Sequence, residues 1–143
     1  MESLPLFVKG GTFHHIKDVT FATHWIAGDD YGRMVAAALK KKVGLNENII
    51  IQGPEKLTME EAGRRFIKAY DPSLSMRRIP FWLLKAMGIF STDAKELVSL
   101  FKICDEIKEK SPDPAVWEEL SKPSMTIEAY AGYARGTGDF PQK

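Results

Sequence analysis

A chain of 143 residues has room for one hydrophobic core and not two. Hydrophobic residues at 44% and charged residues at 27% are the values of a folded globular chain, not of a disordered one. Twenty Lys and Arg against nineteen Asp and Glu leave +1, which excludes a strongly basic nucleic-acid binder. The single cysteine, Cys104, excludes an internal disulfide framework and a multi-cysteine zinc site. No apolar run approaches the ~20 residues of a membrane-spanning helix, and Glu2 and Pro5 make the opening residues a poor signal peptide. A single cytoplasmic domain is expected over 1–143, with no nucleic acid and no membrane among its partners.

Leu4, Phe7 and Val8 have the spacing of a short helical face, closed by Gly10-Gly11. From Val19 the side chains alternate, with Phe21, Thr23 and Trp25 on one side, which predicts a strand ending near Ala27. Gly28-Asp29-Asp30 then turns the chain into a helix whose apolar stripe is Tyr31, Met34, Val35, Ala38 and Leu39. Asp29 or Asp30 is expected to cap it, Lys40 to Lys42 sit where the helix dipole favours cations, and Gly44 ends it. Ile49-Ile50-Ile51 is too short and too β-branched for a helix and is expected as a strand buried on both faces. Thr58 and Glu61 form a capping box for a helix that buries Ala62, Phe66, Ile67 and Tyr70 and stops before Pro72.

Ser75 to Ile79 is a short strand, and Pro80 stands at the first turn of an apolar helix from Phe81 to about Gly88. Ser91-Thr92-Asp93 starts the longest helix, with Leu97, Leu100, Phe101, Cys104 and Ile107 on its buried stripe, and Pro112 stops it. Asp113-Pro114 begins a short helix carrying Trp117 and Leu120, followed by Pro123. Thr126 caps the last helix, which turns Ile127, Tyr130 and Ala134 inward; Gly136 falls just past its end, and 136–143 is expected to fray. The expected fold is therefore α/β, predominantly helical with about three short strands. So small a sheet cannot cover that many helices, which suggests a lobe that completes its core elsewhere.

His14, His15 and His24 lack metal-ligand spacing, so no metal site is expected. Cys104 lies on a core stripe with no base within a turn, and no catalytic residue is expected. Asp29-Asp30 and Glu60-Glu61 are read as caps and dipole partners rather than catalytic pairs. Arg64-Arg65 and Arg77-Arg78 are read as a solvated face. Gly136-Thr-Gly138 lacks the third glycine and the strand-to-helix setting of a dinucleotide loop, so no cofactor-binding residue is expected. Substrate-pocket candidates are the aromatics Phe81 and Trp82 behind Pro80, His24 and Trp25 at the end of a strand, and Arg78. Packing in a core produces the same aromatic spacing.

His24 to Leu39, with Asp30-Tyr-Gly-Arg33 at its centre, is similar to the strand–Asp–helix segment of NmrA-like, atypical short-chain dehydrogenase/reductases, relatives of the nucleotide-sugar epimerases. Ile49 to Glu61 resembles the next strand, Gly-Pro-Glu turn and capped helix of that family. Met1-Glu-Ser-Leu-Pro5 resembles its Phe-Met-Glu-Asn-Leu segment, which lies beside the active site of full-length members. The resemblance implies the C-terminal, substrate-side lobe of a Rossmann-type extended member. The Gly-rich dinucleotide turn and a Tyr-x-x-x-Lys are missing here: Tyr31, Tyr70, Tyr130 and Tyr133 are followed four residues on by Val35, Leu74, Ala134 and Thr137. What is implied is a lobe that binds substrate without catalysing by itself. NAD or NADP and a small-molecule substrate belong to the intact protein, an oxidoreductase, an epimerase or a cofactor sensor. The other reading is a stand-alone binding module, and both predict self-association of the isolated chain.

Overall fold

The computed structural model describes residues 1–17, 19–42, 48–89, 91–106 and 109–137. Gly10 and Gly11 have φ of +54° and +68°, the left-handed pair that a tight two-residue hairpin turn requires. They reverse the chain between β1 (Val8–Lys9) and β2 (Thr12–Ile16), which pair antiparallel with Lys9 opposite Thr12. The other edge of β2 takes β5 (Ser75–Ile79) in parallel, Phe13 opposite Met76 and His15 opposite Arg78. A second sheet pairs β3 (Ala22–Trp25) antiparallel with β4 (Glu55–Thr58). Around these lie α1 (Gly28–Lys41), α2 (Met59–Tyr70), α3 (Phe81–Met87), α4 (Thr92–Glu106), α5 (Pro114–Leu120) and α6 (Ile127–Thr137). The described residues thus form an α/β fold of six helices and a few short strands. No helix among them is long and apolar enough to cross a membrane.

Local chemistry starts α2 as the sequence requires. Thr58 Oγ1 accepts the Glu61 N–H at 3.2 Å, and the Glu61 carboxylate accepts the Thr58 N–H at 2.8 Å. From there α2 lays Phe66 between β2 and α6, where Phe13, Phe66, Ile127 and Ala131 are fully buried. Each such aromatic removed from water contributes roughly 1.5–3 kcal/mol. A second, smaller cluster joins Ile16 of β2 to Leu84, Ala94 and Phe101 of α3 and α4. In α5, Asp113 caps by accepting the Ala115 N–H, and Thr126 does the same for Ala129 ahead of α6.

Several expectations are corrected. Ile49-Ile50-Ile51 forms no strand and is not buried, for Ile50 is 59% exposed. Isoleucine favours a strand only where a neighbouring strand and a covering layer exist, and β3 pairs instead with Glu55–Thr58. Along α1 the stripe is buried at Met34 alone; Tyr31 and Leu39 are exposed, because no described element packs over them. Neither Asp29 nor Asp30 caps α1. Its N-cap is Ala27, and Glu2 Oε1 takes the Gly28 N–H at 2.6 Å from outside the helix.

The helix ends differ too. Lys42, in the left-handed region at φ +57°, terminates α1; Gly44 lies outside the described residues. On α4, Phe101 is buried but Leu100 is exposed, and Ile107 lies outside the described residues. Pro80 is the N-cap of α3 and not part of its first turn. Gly136 is inside α6, which runs to Thr137, and the tail from 138 on is outside the described residues.

Candidate binding cleft

Three elements far apart in sequence meet around a cleft of about 390 Å³. A 3-10 turn, Leu4–Phe7, brings Pro5 and Leu6 to one wall, with Glu2 just before it. The start of α1 supplies Gly28 and Asp29. The third wall is α6, where Tyr130 and Tyr133, three residues apart, fall on one face. Met125, in the loop before α6, adds an apolar patch.

The Glu2 carboxylate joins two of these walls. Its Oε1 takes the Gly28 N–H, and its Oε2 lies 2.9 Å from the Met1 ammonium, which also donates to the Ile26 carbonyl at 2.6 Å. Burial would raise the Glu2 pKa, but the Gly28 N–H and the ammonium outweigh it and hold the carboxyl below its usual value. Tyr130 is 8% exposed, and its phenol is pushed up to about 12, first by burial and then by the charge of Glu2 and by Tyr133. It is a neutral hydroxyl at every ordinary pH. The carboxylate of Asp29, exposed in the first turn of α1, makes no hydrogen bond or ion pair among the described residues.

The five residues singled out from sequence do not share this cleft. His24 is tied down: its Nδ1 lies 2.8 Å from Glu109 Oε2, the same oxygen that accepts its backbone N–H at 2.7 Å. Gln52 closes the group, with its amide nitrogen 3.1 Å from His24 Nδ1 and donating to the Lys110 carbonyl at 3.0 Å. Trp25 is buried in the main core, its indole N–H donating to the Leu57 carbonyl across the β3–β4 pair. Phe81 is half-buried in the second cluster, under the Lys85 ammonium. Trp82 beside it is 69% exposed. Arg78 lies on the surface and pairs with Glu60 at 2.7 Å.

Arg64, Arg65 and Arg78 pair with carboxylates. Arg65 grips Glu128 with two nitrogens, at 2.5 and 2.7 Å, and also pairs with Glu55 at 2.7 Å. Arg64 and Arg78 share Glu60. His14 Nδ1 and His15 Nε2 are buried without a hydrogen-bond partner among the described residues. No group of three or more His, Cys, Asp or Glu that could hold a metal occurs among the described residues.

No family model, curated protein or solved structure matches the chain.

The inward face of Tyr130 is legible in the sequence, whereas the cleft is not. The available signal was the Tyr130–Tyr133 spacing. The contribution of Glu2 had none, because its partner Gly28 is 26 residues away.

Proposed function

We propose that this chain is the substrate-side lobe of an NmrA-like, Rossmann-type short-chain dehydrogenase/reductase, and that the cleft is its share of the substrate site. The observation that carries the reading is Ile49-Ile50-Ile51, a run with the composition of a sheet core that lies unpaired, with Ile50 in solvent. The exposed Tyr31 and Leu39 of α1 add to that unpartnered apolar surface. A parallel sheet from a dinucleotide-binding half would give the isoleucines both a ladder and a cover. The segment that resembles the family's active-site neighbour, Met1 to Pro5, also contributes Glu2 and Pro5 to the cleft.

In this reading the other half holds NAD or NADP and transfers hydride in the cytoplasm. This chain shapes the pocket for a small-molecule substrate and has no catalysis of its own. Alone, it self-associates through the same apolar surface.

The coding DNA upstream of Met1 tests the proposal. A strand followed by Gly-x-x-Gly-x-x-Gly in the same frame is the expected result. A stop codon and a ribosome-binding site directly before Met1 would overturn it and leave a stand-alone binding module.

A further inference from the structure

We propose that the cleft binds an organic ammonium ion, an amine carried on an apolar or aromatic body. The inference rests on reading the cleft as ligand-facing and adds the class of ligand. At about 390 Å³ it falls within the roughly 300–1,000 Å³ of small-molecule sites.

Charge selects the sign of the ligand. Two carboxylates, Glu2 and Asp29, line the cleft, and no Lys, Arg or His does. Glu2 is answered on one oxygen by the Gly28 N–H. Asp29 is answered by nothing among the described residues. The start of α1 carries about half a positive charge, and Glu2 already sits on its first N–H, so the helix end does not cancel Asp29. A phosphate or carboxylate placed here would meet the unanswered charge of Asp29 and no lining Lys, Arg or His.

The tyrosines select the rest. Tyr130 is more than nine-tenths buried at the cleft wall, and its hydroxyl makes no hydrogen bond among the described residues. Its phenol stays protonated to about pH 12, so its oxygen keeps a free lone pair for an N–H donor. The half-exposed Tyr133 ring offers a cation its negative face. Leu6, Pro5 and Met125 supply apolar surface for the body of the ligand. A carboxylate, a neutral phenol and an aromatic face together form a receptor for an ammonium group.

Three probes of nearly equal shape test this on the full chain: 2-phenylethylammonium, 2-phenylethanol and 3-phenylpropanoate. Each is titrated while the amide signals of Gly28 and Asp29 and the ring signals of Tyr130 and Tyr133 are followed by NMR. The ammonium is expected to bind about ten-fold tighter than the alcohol, and the propanoate weakest. Asp29→Asn should erase the preference for the ammonium and leave the alcohol's affinity within about two-fold. Tyr130→Phe, which keeps the ring and its packing, should weaken both. Equal binding of all three probes, tighter binding of the propanoate, shifts centred on Trp82, or no shifts at about 10 mM would each overturn the inference. Such a failure leaves the family reading untouched, because the upstream coding sequence decides that separately.

Discussion

The Asp30 carboxylate accepts the backbone N–H of Met125 at 2.8 Å, from a residue 95 positions further along the chain. The same oxygen takes the Ser124 N–H at 2.7 Å, and Arg33 holds the other oxygen at 2.5 Å. Asp30 therefore fixes the approach to α6 against the start of α1, two walls of the cleft.

Replacing Asp30 by Ala strands two backbone N–H groups and the guanidinium of Arg33. The expected cost is roughly 2–3 kcal/mol, or a fall in Tm of about 5–10 °C. Asp30→Asn keeps an acceptor and should lose less. Asp29→Ala, which breaks no hydrogen bond among the described residues, should stay within about 0.5 kcal/mol. Thermal melts by circular dichroism rank the three. An Asp30→Ala variant melting with the parent would show that the link to Met125 adds no stability.

Acid weakens the fold through depressed carboxyls. Arg65 holds Glu128 at about 2. Burial would raise the pKa of Asp30, yet the N–H groups of Met125 and Ser124 and the Arg33 guanidinium together hold it below its usual value. A carboxyl depressed by folding adds stability that is complete above its unfolded pKa of about 4 and is lost as pH falls through the folded value. Urea unfolding from about pH 5 to about pH 2 should show the parent losing stability. Glu128→Gln should lose it less steeply over the same range.

His15 works in a higher window. Burial is the largest influence on its imidazole and lowers the pKa; Glu60 pulls it up and Arg78 pushes it down. The unfolded chain takes up this proton near pH 6.5, the folded chain only below that. Its contribution is therefore complete above about 6.5 and is lost as pH falls towards the folded value. His15→Leu should flatten the stability profile there. An NMR titration showing His15 protonating at or above about 6.5 would contradict this.

Gly53 packs against the backbone of β3. A Cβ at this position would lie 1.6 Å from the Trp25 carbonyl oxygen and 2.2 Å from its carbon. Backbone cannot rotate away as a side chain can, so Gly53→Ala is expected to cost about 3–5 kcal/mol by displacing the segment from β3. Gly132→Ala is the control. It meets nothing within 4 Å on α6 and should stabilise by up to about 1 kcal/mol.

What could be read from the sequence was the chemistry that acts within a few residues. The Thr58–Glu61 box, the Thr126 cap, β5 and the inward faces of α2 and α6 all follow from local spacing. The misses are non-local. Asp30 obeys the rule for a cap by composition and position, yet bonds across 95 residues to Met125. Glu2 takes the capping role from 26 residues upstream. The three isoleucines carry strand propensity, but propensity does not say whether a neighbour exists. The hairpin at Gly10-Gly11 was hidden because β1 is only two residues long and two adjacent histidines interrupt the apolar pattern of β2.

The parallel pairing of β2 with β5 also sets an order of events at the ribosome. Thr12 faces Ser75, 63 residues later. At roughly 5–20 residues per second, the strand that completes the sheet follows about 3–13 seconds behind the hairpin. Through that interval the nascent hairpin carries a bare edge of β2, and the face of α2 that later covers Phe13 is still being made. Such an edge is a template for any extended segment nearby. Slow codons between β2 and β5 would lengthen the interval, and crowding of nascent chains on one message would make its consequences worse.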